Sequence, residues 1–293
     1  MNKARKTDFC KDKEIFVISD LHIGNGSPKD NLLKRGREKL LYELLDYIDS
    51  RGAKLVILGD FLELWRHRLD DVVGRWSRLL DRLDTMDVIY VLGNHDADLS
   101  ESQNRVIHPF FNSIRHSFIE VIGQKRFKFM HGHELDPIIS KQWFQMRPLL
   151  CFFAGAFEFR EDSCLVTSDA FSDALCEIGE QFLRIWYGLT GQVNSWANPS
   201  MLGLNDEKMT WLKRPIRVQN MLGRFYLDKS QGLYDAAVSG HTHKAGYFGD
   251  WYFNSGCWTQ PEAEFLKITP DGQVGVYFWT QEGACENHST VIK

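Results

Sequence analysis

Ile15-Phe16-Val17-Ile18-Ser19-Asp20-Leu21-His22 is an apolar, partly β-branched run that ends on a carboxylate and an imidazole one residue apart. The pattern recurs along the chain. Leu55 to Leu58 leads into Gly59-Asp60, and Val88 to Leu92 into Gly93-Asn94-His95-Asp96. Arg126 to Met130 leads into His131-Gly132-His133, and Ala236 to Ser239 into Gly240-His241-Thr242-His243. Short apolar runs of this kind read as strands, so the polar residues that follow them fall on loops at strand ends.

Between the first three runs the periodicity changes to that of helices. Leu33, Leu40, Leu41, Leu44, Leu45 and Ile48 share one face of a helix expected over Leu32 to Arg51, and Gly52 is its natural stop. A second helix is expected over Val72 to Leu83. Strand and helix alternate as in βαβ units, which gives an α/β fold. From about residue 138 to 221 the character shifts: aromatic side chains crowd together, among them Trp143 and Trp186, and Phe171, Leu175, Ile178, Phe182, Ile185 and Trp186 follow helical spacing. This region reads as a helical insertion in a single domain spanning residues 1–293. Strands return in the tail at Asp250–Asn254, Phe265–Ile268 and Val274–Trp279, the last two joined by the turn Thr269-Pro270-Asp271-Gly272.

Composition sets looser bounds. A chain of 293 residues, 43% hydrophobic, can bury a full core. A net charge of −4 gives no general attraction for polyanions and weighs against long nucleic acid as substrate. The six cysteines lack Cys-x-x-Cys spacing and read as reduced thiols. The first ten residues are charged and lead straight into a strand, so no signal peptide is expected; nor does any segment reach the roughly 20 apolar residues of a membrane-spanning helix. A cytoplasmic protein is expected.

The ordered motifs supply oxygen and nitrogen donors for two adjacent metal ions. Hydrolysis of a phosphate ester at neutral pH needs a strong nucleophile and relief of charge on a crowded anion. Two cations about 3.5–4 Å apart bind a shared water, lower its pKa and clamp the phosphate oxygens. Carboxylates can bridge two cations, and neutral imidazoles complete the shells without adding negative charge. Asp60, at a sharp glycine turn, is the candidate bridge, and Asn94 offers a carbonyl oxygen from a similar loop. Alternation along an extended loop turns Asp20 with His22, and His241 with His243, to the same side.

Asp-x-His, Gly-Asp, Gly-Asn-His-Asp, His and Gly-His-x-His, in that order, resemble the calcineurin-like metallophosphoesterase superfamily over residues 15 to 255. The resemblance implies a four-layer αββα sandwich of two mixed sheets, with a helical lid insertion and the site at the strand C-termini. It places Asp20, His22, Asp60 and His243 on one metal, and Asp60, Asn94, His131 and His241 on the other. It gives His95 the role of stabilising the transition state or protonating the leaving oxygen, and Asp96 that of orienting it. Manganese is the expected metal, with iron and zinc as alternatives.

The run Gly59-Asp60-Phe61-Leu62-Glu63-Leu64-Trp65 and the aromatic insertion look more narrowly like the UDP-2,3-diacylglucosamine pyrophosphatase group. That implies a nucleotide-lipid substrate, with peripheral membrane contact through the insertion. The group has arginine where this chain has His95. A nuclease or cyclic-nucleotide phosphodiesterase shares the same metal motifs. A non-catalytic scaffold would be expected to lack a ligand, and none is missing here.

Taken singly, His22 or His131 reads more readily as a structural histidine; nine ordered positions matching together reverse that reading. His133 is a substrate contact, a support for a ligand or a loop spacer. Glu63 either orients a ligand histidine or lies on the surface. Arg66, His67 and Arg68 offer a basic cluster for a phosphate, or a solvated face. Trp143 and Trp186 line an acyl groove or pack a helix.

Overall fold

The computed structural model describes residues 13–28, 30–33, 36–104, 108–136, 181, 216–260, 262–280 and 282–286. In the first half, strands β1 (Ile15–Ile18), β2 (Lys54–Leu58) and β3 (Val88–Val91) alternate with helices α1 (Arg37–Ser50) and α2 (Leu69–Thr85). Short strands β4 (Ile114–Arg115), β5 (Ser117–Ile122) and β6 (Lys125–Met130) follow. Helix α3 (Ile216–Ser230) then precedes β7 (Ala236–Ser239), β8 (Gly246–Phe248) and β9 (Tyr252–Asn254). Strands β10 (Ala263–Ile268), β11 (Val274–Thr280) and β12 (Gly283–Glu286) complete the described chain.

Two mixed sheets result. The first has the order β12-β11-β10-β1-β2-β3-β4 and the second β5-β6-β7-β9-β8. Strands β1 to β4 run parallel, as do β6, β7 and β9, whereas β10 pairs antiparallel with β1.

The period of two along each strand sorts its side chains into layers. Ile15, Val17, Val56, Leu58, Ile89 and Val91 turn toward Phe118, Phe127, Phe129, Ala236 and Val238 and form the core between the sheets. Phe16, Ile18, Leu55, Ile57 and Tyr90 point the other way, into a core with Leu41, Leu44, Leu45 and Ile48 of α1 and Val72, Trp76, Leu79, Leu80 and Leu83 of α2. On the far face of the second sheet, Met221, Leu222 and Phe225 of α3 cover Ala237 and Tyr252. Helix, sheet, sheet and helix thus form the four layers expected. Each such apolar side chain, fully buried, contributes about 1.5–3 kcal/mol.

Helix α1 begins at Arg37, not Leu32. Asp30 accepts from the Gly26 and Leu32 amides and so holds the chain on either side of it in a turn, and Gly36 at φ 70° breaks the backbone before the helix starts. Gly52, at φ 59°, follows the helix as expected. Helix α3 spans the expected insertion boundary at Met221. The rest of the aromatic region, with Trp143 and Trp186, lies outside the described residues. Among the described residues no helix is long and apolar enough to cross a membrane.

Candidate metal centre

Because β1, β2 and β3 are parallel, as are β6 and β7, the loops at their C-terminal ends gather on one edge of the sandwich. Asp20, His22, Asp60, His241 and His243 lie there, and all five have positive φ, between 48° and 68°. They are the only non-glycine residues in the left-handed region among those described. L-residues adopt it at a cost of order 1–3 kcal/mol each, and such strain clusters where a side chain must be aimed.

The preceding glycines make room. A Cβ on Gly59 would run into the His131 ring, and one on Gly93 into the Asp60 carboxylate and backbone.

Three sets of donor atoms converge: Asp20 with His22 and His243, Asp60 with His131 and His241, and His22 with Glu63 and His95; the first two hold the candidate ligands. Asp60 Oδ2 lies 3.2 Å from His131 Nε2 and 3.8 Å from His22 Nε2, and so stands between the sets. Its other oxygen accepts from the His95 amide at 2.8 Å. Asp20 is divided in the same way: Oδ2 accepts from Ser19 Oγ and from the His241 amide, and Oδ1 faces His243 Nε2 at 3.1 Å.

Several donor atoms have no hydrogen-bond partner although fully buried: Asp20 Oδ1, Asn94 Oδ1 and His131 Nε2. An unpaired buried polar atom costs about 1–3 kcal/mol; Asp20 Oδ1 and His131 Nε2 face other donor atoms of the cluster, His243 Nε2 at 3.1 Å and Asp60 Oδ2 at 3.2 Å, and Asn94 brings its amide oxygen on the adjoining loop after β3. Hard and borderline divalent cations favour that donor set. Charge points the same way. Although burial opposes it, Asp60 and Asp20 drive the His131 imidazole up to about 10, so the cluster demands positive charge. Burial also opposes ionisation of Asp60, but His131 and His95 hold it well below the usual carboxylate range. The residues fit divalent metal.

Supporting contacts orient the candidate ligands. His131 Nδ1 meets the Leu58 carbonyl at 2.8 Å, and Asp136 Oδ2 meets His241 Nε2 at 2.8 Å, which leaves His241 Nδ1 for the cluster. Asp136 was not singled out in the sequence. Its one signal is its place five residues after His131 in the same loop.

Glu63 is fully buried and orients two histidines: Oε2 meets His22 Nδ1 at 3.1 Å and Oε1 meets His95 Nδ1 at 2.9 Å. Burial opposes its charge, yet His95 and Arg66 hold it well below the usual range. Asp96 was expected to orient His95 and does not. Its carboxylate accepts from Tyr90 Oη and from the amides of Phe61, Leu62 and Gly93, and so knits the β2 and β3 loops together. Burial and then Asp60 push it up to about 6.

Arg66 donates to Glu63 at 3.0 Å, Arg68 is exposed at the N-terminus of α2, and His67 packs beside Gly24. The His133 ring lies 5.5 Å from that of His131 and 6.4 Å from that of His241, with Nδ1 in no hydrogen bond and 3.4 Å from Glu134 Oε2. Burial and those two imidazoles push it well below the usual histidine range.

The sequence profile described as calcineurin-like phosphoesterase matches residues 13–245. The chain belongs to that family. A calcineurin-like phosphoesterase is a metal-dependent hydrolase of phosphoester bonds, and the cluster offers donors for its divalent ions. Among solved structures, the chain is similar to a dimetal phosphatase from Danio rerio, at 13% identity over 93% of this chain and 96% of that one, with a TM-score of 0.48. It is also similar to Vps29 complexed with Zn2+ from Entamoeba histolytica, at 13% identity over 94% and 97%, with a TM-score of 0.41. No curated protein matches the chain.

Proposed function

We propose that the chain hydrolyses a small phosphoester or diphosphate, with one divalent ion held by Asp20, His22, Asp60 and His243 and another by Asp60, Asn94, His131 and His241. The observation that carries this reading is the convergence of buried carboxylate and imidazole donors, with Asp20 Oδ1, Asn94 Oδ1 and His131 Nε2 buried and in no hydrogen bond. Bound there, two cations supply charge relief for the phosphoryl oxygens and lower the pKa of an attacking water.

The protein's own groups do the rest. His95 keeps Nδ1 on Glu63 and Nε2 clear of any hydrogen bond to a described residue, so Nε2 is the atom that hands a proton to the leaving oxygen. Burial disfavours the imidazolium, but Glu63 and Asp60 outweigh it and raise the affinity of His95 for that proton. The hydrogen bond from the His95 amide to Asp60 ties the proton donor to the shared ligand. Asp96 acts through the loops it joins.

For substrate, the run from Gly59 to Trp65 and the aromatic insertion support a UDP-diacylglucosamine-like nucleotide lipid, with Trp143 and Trp186 against the acyl chains and the insertion touching the inner face of a membrane. Arg66, Arg68 and His133 are the phosphate contacts on this reading, and manganese is the metal. The test is a substrate panel on chelated protein with manganese added back. Diacylated nucleotide diphosphates should be cleaved in preference to cyclic nucleotides and single-stranded DNA. Apparent affinity should rise with acyl length, since each buried methylene contributes about 0.8 kcal/mol. Preference for a cyclic nucleotide or DNA overturns the lipid assignment, and hydrolysis of nothing on the panel overturns the reading.

A further inference from the structure

His95 sits in a clamp whose main wall is Trp65. The indole stacks on the imidazole with ring centroids 3.9 Å apart and planes 18° from parallel, and His22 closes another side edge-on at 4.5 Å and 89°. The indole is itself anchored: Nε1 donates to the Asn94 carbonyl at 2.9 Å, while the Leu64 amide donates to the His95 carbonyl at 3.3 Å. With the Glu63–His95 contact, the segment carrying Glu63 and Trp65 is thus bonded three times to the segment carrying Asn94 and His95.

An imidazole on a single Cβ has two torsions to lose. The Glu63 carboxylate fixes the direction of Nδ1 in the ring plane, and the Trp65 face fixes the tilt of that plane. Neither contact alone does both. We propose that Trp65 is a positioning residue for His95, acting with Glu63 to leave the imidazole one orientation, with Nε2 toward the leaving group. This rests on the assignment of His95 as proton donor.

The test is a double-mutant cycle on the metal-loaded full chain, using one phosphoester with a poor alkyl leaving group and one with nitrophenol. Misplacement of a catalytic group by about 1 Å costs up to 10²-fold. Trp65→Leu should therefore lower kcat on the alkyl ester by roughly 10- to 100-fold, and less on the nitrophenyl ester, with KM and bound metal unchanged. Added to His95→Ala, Trp65→Leu should cost nothing further, because what it positions is gone. Trp65→Phe keeps a stacking face but loses the bond to Asn94, so it should fall between Leu and the native residue, and it carries the same cycle if Trp65→Leu fails to fold. Multiplicative losses in the double variant, or loss of metal in both Trp65 variants, overturn the clamp alone. A His95→Ala variant as active as the native protein overturns the proton-donor assignment and the clamp with it.

Discussion

His131 Nδ1 is bonded to the Leu58 carbonyl at 2.8 Å, at the end of the strand that carries Asp60. A carbonyl only accepts, so Nδ1 holds a hydrogen and donates. The nitrogen left for a metal is Nε2, which is buried, 3.2 Å from Asp60 Oδ2, and in no hydrogen bond. Without metal, the carboxylates keep a proton on this ring up to about pH 10. That proton must leave for a cation to bind.

Metal uptake should therefore release a proton, and the apparent affinity should rise about tenfold per pH unit until it levels off near 10. The sign for folding is the reverse in the metal-free protein. Because the folded-state pKa is raised, its stabilising contribution is fully present below about 6.5 and is lost as pH rises through about 10. Calorimetry of manganese binding in buffers of different ionisation heat counts the released protons; an affinity independent of pH contradicts the account.

Asp60→Asn removes charge from the atom that stands between the two donor sets. Both ions should be lost or weakened together, and hydrolysis should fall further than for any other single ligand change. Elemental analysis decides this, and a variant that keeps both ions at full occupancy refutes the shared role.

Asp136→Asn should fold and keep the cluster, but with His241 less well held. Loss of such a supporting carboxylate costs about 10- to 100-fold in metal affinity. The manganese concentration that half-restores activity should shift by that factor, with the rate at saturating metal changed little. An unchanged half-point means Asp136 does not act through His241.

The strands that carry the candidate ligands were legible because most are buried apolar runs ending on a polar loop, and in parallel sheets the run and its loop are contiguous in sequence; β6 instead alternates charged residues with buried Phe127 and Phe129. Runs such as Leu55 to Leu58 gave the strands to within a residue or two. Less legible was the start of α1: the leucine spacing continues back to Leu33, but the Asp30 hydrogen bonds and Gly36 interrupt the helix. Strand β5 was missed because Ser117–Ile122 puts exposed Ile119 and Val121 on the outer face, so apolar residues appear on both sides. In the site, the ligand candidates were readable by motif. What was not readable is which carboxylate reaches which imidazole. Glu63 and Asp96 both lie within a few residues of the ligand loops, and only the three-dimensional crossing of those loops gives His95 to Glu63 and the backbone amides to Asp96.

His95→Ala should retain both ions and lower turnover by roughly 10²–10⁴ on substrates with poor leaving groups. A proton donor matters less when the leaving oxygen is already acidic, so the deficit should shrink for nitrophenol. An equal deficit on good and poor leaving groups assigns His95 to charge stabilisation instead.

This cluster should work as a two-metal site. Chelated protein titrated with manganese, with bound metal and phosphoester hydrolysis followed in the same samples, tests it most directly. Activity should be negligible without metal, remain low through the first equivalent, and rise to its plateau as the second is taken up. Full activity at one equivalent, or hydrolysis by protein shown to be free of metal, contradicts the account.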